Sequence, residues 1–208
     1  VEEKKKDPGK MKQMGTGRAY TIKELASYSF LLEHFYIVDE TTSMTKQDLN
    51  GTKLVTMDLS AKLGKEEPLV LIYHTHGSET YKKVNGKEGS VIEVGTALTK
   101  ELENVYGIKT VHDKSVYDMV DGQLDRNAAY NFAGDSVEAA LRKNPSVKVV
   151  IDLHRDSVEN NIHLRTKVNG KSAAQIMFFN GVSRLASKGD IGYLYNCLLY
   201  TSPSPRDK

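Results

Sequence analysis

Leu69-Val70-Leu71-Ile72-Tyr73-His74-Thr75-His76-Gly77-Ser78-Glu79 is the stretch that decides the fold. An unbroken apolar run follows Pro68 and stops abruptly in a polar string, as a strand buried on both faces requires. A second such run, Val147 to Leu153, ends in His154-Arg155-Asp156. Between the two runs the period changes. Val91, Val94, Leu98 and Leu102 share one face of a helix expected from Val91 to Asn104, with Gly107 as its stop. Ile108 to Val111 reads as a short strand. Residues 126–143 read as a second helix, with Ala129, Phe132, Ala133, Ala140 and Leu141 toward the core, ended by Asn144-Pro145. Strand, helix, strand, helix, strand predicts an α/β domain with right-handed crossovers and a mostly parallel sheet. Sites in open sheets of this kind lie beyond the carboxyl ends of the strands. Two strand ends here carry histidines.

Outward from this centre the pattern weakens. Ile162–Val168 and Ala173–Phe179 flank Asn169-Gly170, which suits a type I′ hairpin turn. The Lys- and Gly-rich residues 82–89 read as a loop. Residues 1–19 are polar and read as a disordered leader. Residues 20–66 read as a lead-in: a helix over 20–35 built on Ile22, Leu25, Ala26, Phe30 and Leu31, a strand at Phe35–Val38, then irregular chain over 41–66. The expected division is therefore 1–19, 20–66, a main domain over 67–196, and a tail over 197–208.

Composition narrows the function. The 208 residues, 39% hydrophobic, suffice for one core of ordinary size. Charged residues make up 27% but the net charge is only +2, which argues against a dedicated nucleic-acid binder. The single cysteine, Cys197, excludes an internal disulfide and a Cys-rich zinc site. No run reaches the roughly 18 apolar residues of a membrane span, and no signal peptide is visible.

The polar strand ends carry the candidate chemistry. His76 and Glu79 form a His-x-x-Glu, and His154 comes from the other strand end. Imidazole nitrogen and carboxylate oxygen suit Zn²⁺, and His₂Glu is a three-ligand catalytic set with a fourth position left for water. Two alternates stand beside it. His74 lies on the same side of an extended segment as His76 and can replace or assist it. Glu93 can be the carboxylate in place of Glu79, or a helix-N-terminal acid favourable to the macrodipole. Asp152 or Asp156 can fix the tautomer of His154. Arg155 can hold a substrate carboxylate or a developing oxyanion, or pair with Asp156, and Arg126 has the same two readings. His34, His112 and His163 lie away from these clusters and read as surface or structural.

At these residues the sequence resembles the stage II sporulation protein P family of endospore-forming Firmicutes. The matching stretches are Phe35–Asp39, Leu71–Glu79, Val94–Leu98 through Glu103, Ile151–Asp156 and Phe178–Gly181. The resemblance implies a zinc-dependent N-acetylmuramoyl-L-alanine amidase acting on septal peptidoglycan during engulfment, with the three-layer α/β sandwich of zinc amidases. It implies His76 and His154 as zinc ligands, with Glu79 ahead of Glu93 as the third. It implies a membrane anchor at the mother-cell surface, and as partners the lytic transglycosylase stage II sporulation protein D and the scaffold protein M. In two respects the sequence departs from that pattern. The anchor is absent. The closing helix and strand are also absent, and with them the Glu that looks like the general base. In their place, Cys197 to Asp207 resembles the translation of a transposase-type sequencing adaptor, so residues 197–208 are expected to be non-native. Two rival functions fit the same residues: a zinc carboxypeptidase-like peptidase, and a non-catalytic peptidoglycan-binding module.

Overall fold

The computed structural model describes residues 19–38, 43–58, 60, 66–81, 88–156, 164–179 and 198–201, the last four as backbone. The expected leader and most of the expected loop over 82–89 lie outside them. The described residues form two compact units, one running from residue 66 onward and one up to residue 60.

The larger unit is a mixed α/β fold. Its elements are β1 (Val70–Tyr73), α4 (Val91–Asn104), β2 (Thr110–His112), β3 (Met119–Val120), β4 (Gln123–Leu124), α5 (Arg126–Lys143), β5 (Val149–Arg155), β6 (Arg165–Val168), β7 (Lys171–Ala174), β8 (Ile176–Phe179) and β9 (Leu198–Thr201). The main sheet has the order β2-β1-β5-β9-β8. β1 runs parallel to β2 and β5, and β5 parallel to β9. Only β8, at the edge, pairs antiparallel. Four residues of the expected tail therefore lie in the sheet as β9. Main-chain ladders place few demands on side chains, so an open strand edge accepts extended segments of many sequences.

Both long helices occupy their expected ranges, and their starts show why. Ser90 accepts from the Glu93 amide while the Glu93 carboxylate accepts from the Ser90 amide, a capping box that opens α4. Asp125 caps α5 by accepting from Asn127 and Ala128. One face of the sheet buries Val70, Ile72 and Leu153 with Val91, and Ile92, Val94, Leu98 and Leu102 of α4 pack against them. Residues of the same parity share a face in a strand, so Asp152 and His154 project from the other side. Phe132 differs from its expected core position: it is 48% exposed, and only Ala129 and Ala133 of α5 are fully buried. The helix turns the small residues Ala129 and Ala133, one turn apart, inward, and Phe132 lies beside that stripe. Asn169 and Gly170, at φ +52° and +76°, join β6 to β7 as a type I′ turn demands.

The smaller unit departs further from expectation. The single helix expected over 20–35 is two, α1 (Ile22–Leu25) and α2 (Tyr28–His34). Ser27 takes the amide of Phe30 and starts a new helix, because a serine hydroxyl competes for backbone donors that a continuous helix would use internally. Phe35–Val38 forms no strand; Phe35 and Ile37 are exposed. The supposedly irregular stretch 41–66 contains α3 (Gly51–Thr56), which Asn50 caps through the Lys53 amide at 2.9 Å. Among the described residues no helix is long and apolar enough to cross a membrane.

Candidate metal centre

β1 ends at Tyr73, and residues 75–78 turn. The Glu79 amide returns to the His76 carbonyl at 3.2 Å. That turn breaks the period-two alternation and sends the two histidines of His74-Thr75-His76 to different sides of the sheet. Two buried aspartates hold it. Asp152 accepts from the Thr75 amide at 2.9 Å and from the Thr75 hydroxyl. Asp118 accepts from the Ser78 amide at 3.1 Å and from the Ser78 hydroxyl. Each carboxylate satisfies an amide and a hydroxyl of one residue, which fixes both ends of a loop that contains no regular structure.

The clamped turn brings His76 and Glu79 to His154 at the end of β5. Ligand atoms from the three side chains lie within 4.8 Å of one another. His76 Nδ1 is 3.8 Å from Glu79 Oε1, and His154 Nδ1 is 4.0 Å from Glu79 Oε2. Tetrahedral coordination at 2.0–2.1 Å needs ligand atoms about 3.3 Å apart, so side-chain rotations that close the separations by about 0.5–1.5 Å suffice. His76 Nε2 is buried and has no hydrogen-bond partner among the described residues. An unsatisfied buried imidazole nitrogen costs about 1–3 kcal/mol. That orphaned nitrogen, with the donor set around it, fits a borderline cation such as zinc.

Of the three side chains, only His76 is shifted toward its metal-binding form, while Glu79 and His154 are both shifted upward and must release a proton to a metal. Burial, then the charges of His154 and Arg126, lower the pKa of His76, which keeps its lone pairs available. Burial raises that of Glu79, opposed by the Arg155 amide, which donates to Glu79 Oε2 at 2.7 Å. For His154 burial acts downward, but Asp152 and the charge of Glu79 outweigh it and the net shift is upward. His154 Nε2 lies 2.9 Å from Asp152 Oδ1. With Nε2 turned to that carboxylate, Nδ1 faces Glu79, the arrangement by which carboxylates orient metal-bound histidines.

The alternates lie elsewhere. His74 is fully buried on the α4 side, with Nδ1 2.9 Å from the Leu153 carbonyl and Nε2 2.9 Å from His112 Nε2. Glu93 is exposed and engaged in its capping box. The Arg155 side chain donates to the Asp156 carbonyl at 3.2 Å, and its part in holding Glu79 is played by its main chain. Arg126 stands 3.8 Å from Glu79 Oε1. His112, expected to lie apart, is the partner of His74, and this corrects the expectation. His34 stacks on Phe30 in the smaller unit. His163 lies outside the described residues. Tyr130, unnoticed in the sequence, meets the His76 ring edge-on at 5.3 Å. It falls one helical turn after Arg126, a spacing that could have drawn attention to it. Asp118 gives no such signal.

The His74–His112 pair yields two expectations. A Cβ added at Gly95 would lie 2.6 Å from His112 Nε2 and 2.7 Å from His74 Nε2. Both rings are tied, so Gly95→Ala is expected to destabilise the protein by about 1–3 kcal/mol in chemical denaturation. Burial, then the charges of His74 and Lys114, hold the pKa of His112 down to about 4. The unfolded chain takes up this proton first as pH falls, so stability declines between about pH 6.5 and 4 and is recovered as pH rises. The half-open position of the ring leaves this on the order of 1 kcal/mol after solvent screening. His112→Gln should flatten that part of the stability–pH profile, and an unchanged slope would refute the assignment.

A sequence model of the family described as stage II sporulation protein P matches residues 3–188. Stage II sporulation protein P of Bacillus subtilis (strain 168) is 27% identical over 127 residues, covering 56% of this chain and 31% of that protein. The chain thus spans about a third of the length of this curated relative. No solved structure matches it.

Proposed function

Since the chain belongs to the stage II sporulation protein P family, we propose that it is the zinc-binding part of a peptidoglycan amidase that cleaves the bond between the muramoyl lactyl group and L-alanine. The observation that carries this reading is the convergence of His76, Glu79 and His154 at two neighbouring strand ends. When bound, zinc supplies Lewis-acid polarisation of a carbonyl and makes water nucleophilic near neutral pH. The chain's own residues hold and orient. Asp152 sets the tautomer of His154, the Arg155 amide aims Glu79, and the aspartate-clamped turn fixes His76. The Arg155 Nε is buried without a partner among the described residues, which supports a role for its guanidinium toward a developing oxyanion. α4 packed on a mostly parallel sheet supports the three-layer zinc-amidase architecture.

The proton transfer to the leaving amine is assigned to a Glu on a further strand, in a chain longer than these 208 residues. The same longer chain would carry the membrane anchor, place the enzyme on the outer face of the mother-cell membrane at the sporulation septum, and meet stage II sporulation proteins D and M. Residues 197–208 retain the adaptor-derived reading. Genomic reads running uninterrupted through the Cys197 codon into this tail would refute it.

The test is product analysis on purified peptidoglycan, with residues 1–208 compared with a chain extended by a family-like C-terminus. Zinc-dependent release of intact stem peptides from muramic acid is expected from the extended chain, and about 10²–10⁴-fold slower turnover from residues 1–208. Release of a C-terminal amino acid would favour the carboxypeptidase reading. Sacculus binding indifferent to zinc, with no turnover by either chain, would favour the binding module.

A further inference from the structure

Resting on the amidase reading, we infer that Arg126 recognises a carboxylate on the peptide side of the scissile amide and so makes the site selective for an acidic stem peptide. Arg126 opens α5, and its side chain is 46% exposed while Glu79 beside it is 4% exposed. The guanidinium therefore stands at the boundary between the metal-ligand cluster and solvent. Its distance to Glu79 Oε1, 3.8 Å, is an ion-pair distance beyond hydrogen-bonding range. Among the described residues its guanidinium makes no hydrogen bond, so its five donors are available to a ligand. Tyr130, one turn along the same helix and 50% exposed, continues this rim and touches His76.

Two neighbouring alternatives are weaker anion receptors. The first free amides of α5 are taken, because Asp125 accepts from Asn127 at 3.1 Å and from Ala128 at 3.0 Å. Arg155 is more enclosed, and its guanidinium is tied to the Asp156 carbonyl. Arg126 is thus the cation at this site that combines solvent access with unused donors. Its charge also matters through Glu79. A cation held by Glu79, His76 and His154 draws on the same carboxylate, which leaves the guanidinium to seek another anion. A fork of donors receives a carboxylate in two parallel hydrogen bonds, and such charge-assisted pairs are the strong ones.

The test is binding by calorimetry to the full zinc-loaded chain, using N-acetylmuramoyl-L-alanyl-D-glutamic acid and its α,γ-diamide, with the integrity of both checked by mass spectrometry. The acid is expected to bind about 10–100-fold more tightly than the amide. Arg126→Gln should abolish that preference while zinc stoichiometry stays unchanged. Arg126→Lys should restore only part of it, because an ammonium lacks the planar fork. Equal binding of acid and amide, equal loss of both in Arg126→Gln, or no binding of either would overturn the inference. Binding does not require turnover, so discrimination of the two compounds by this chain, with no hydrolysis of peptidoglycan by the chain extended with a family-like C-terminus, would count against the amidase reading alone.

Discussion

His154→Ala is expected to take the chain from about one zinc per molecule to almost none at micromolar metal. His154 brings one of the three donor atoms that lie within 4.8 Å of one another, and it comes from β5, whereas the other two follow β1. Four-ligand zinc sites bind with about 10–16 kcal/mol, or roughly 2.5–4 kcal/mol a ligand, so loss of one ligand should weaken affinity about 10²–10³-fold. His76→Ala and Glu79→Ala should behave alike. Glu93→Ala should keep its zinc, because that carboxylate is occupied with the Ser90 amide at 2.9 Å. Elemental mass spectrometry of the five proteins reads this directly. Retention of zinc by both His154→Ala and Glu79→Ala, in folded protein, would remove the site from these residues.

Asp152→Ala is expected to be the most destabilising single change in the larger unit, by about 3–5 kcal/mol in urea denaturation of the metal-free chain. Asp152 is 1% exposed, and three groups depend on it: the Thr75 amide, the Thr75 hydroxyl and His154 Nε2. Burial acts to raise its pKa, but His154 and the two Thr75 hydrogen bonds win and hold it below the ordinary carboxylate range. Removing one member of a buried, hydrogen-bonded charge pair strands the other, which accounts for the size of the effect. Asp152→Asn keeps the volume and one acceptor, so it should fold better. It should still lose about 10–100-fold in zinc affinity, since an amide orients the imidazole less strongly than a carboxylate. A loss below about 1 kcal/mol in Asp152→Ala would show that Thr75 and His154 find other partners.

The parts legible in the sequence were those written in short, local patterns. β1 announces itself by an apolar run, α4 by its periodicity and the Gly107 stop, and α5 by its apolar positions and the Asn144-Pro145 stop. His76, Glu79 and His154 could be read because strand ends in a parallel sheet gather polar side chains. What escaped depends on contacts across the chain. Two histidines one residue apart share a side only in an extended segment, and the turn at 75–78 sent His74 to His112 instead. Asp118 lies 40 residues from the serine it holds. Ser27 interrupts an apolar stripe without spoiling its spacing, so the division between α1 and α2 was not visible in the period.

The hydrogen bond from the Arg155 amide to Glu79 joins residues 76 positions apart, and this separation sets an order of events in synthesis. At 5–20 residues per second a ribosome delivers the second half of the centre about 4–15 s after the first. Through that interval His76 and Glu79 are a two-donor fragment on a nascent chain, without the strand that orients them. Parallel pairing of β1 with β5 has to close this long loop before the third donor arrives, and such non-local closure is slow. On the zinc-binding reading, metal capture would therefore be a late step that seals a finished sheet. In a refolding experiment, the rate of zinc uptake should follow the pairing of β1 with β5 and be insensitive to zinc concentration.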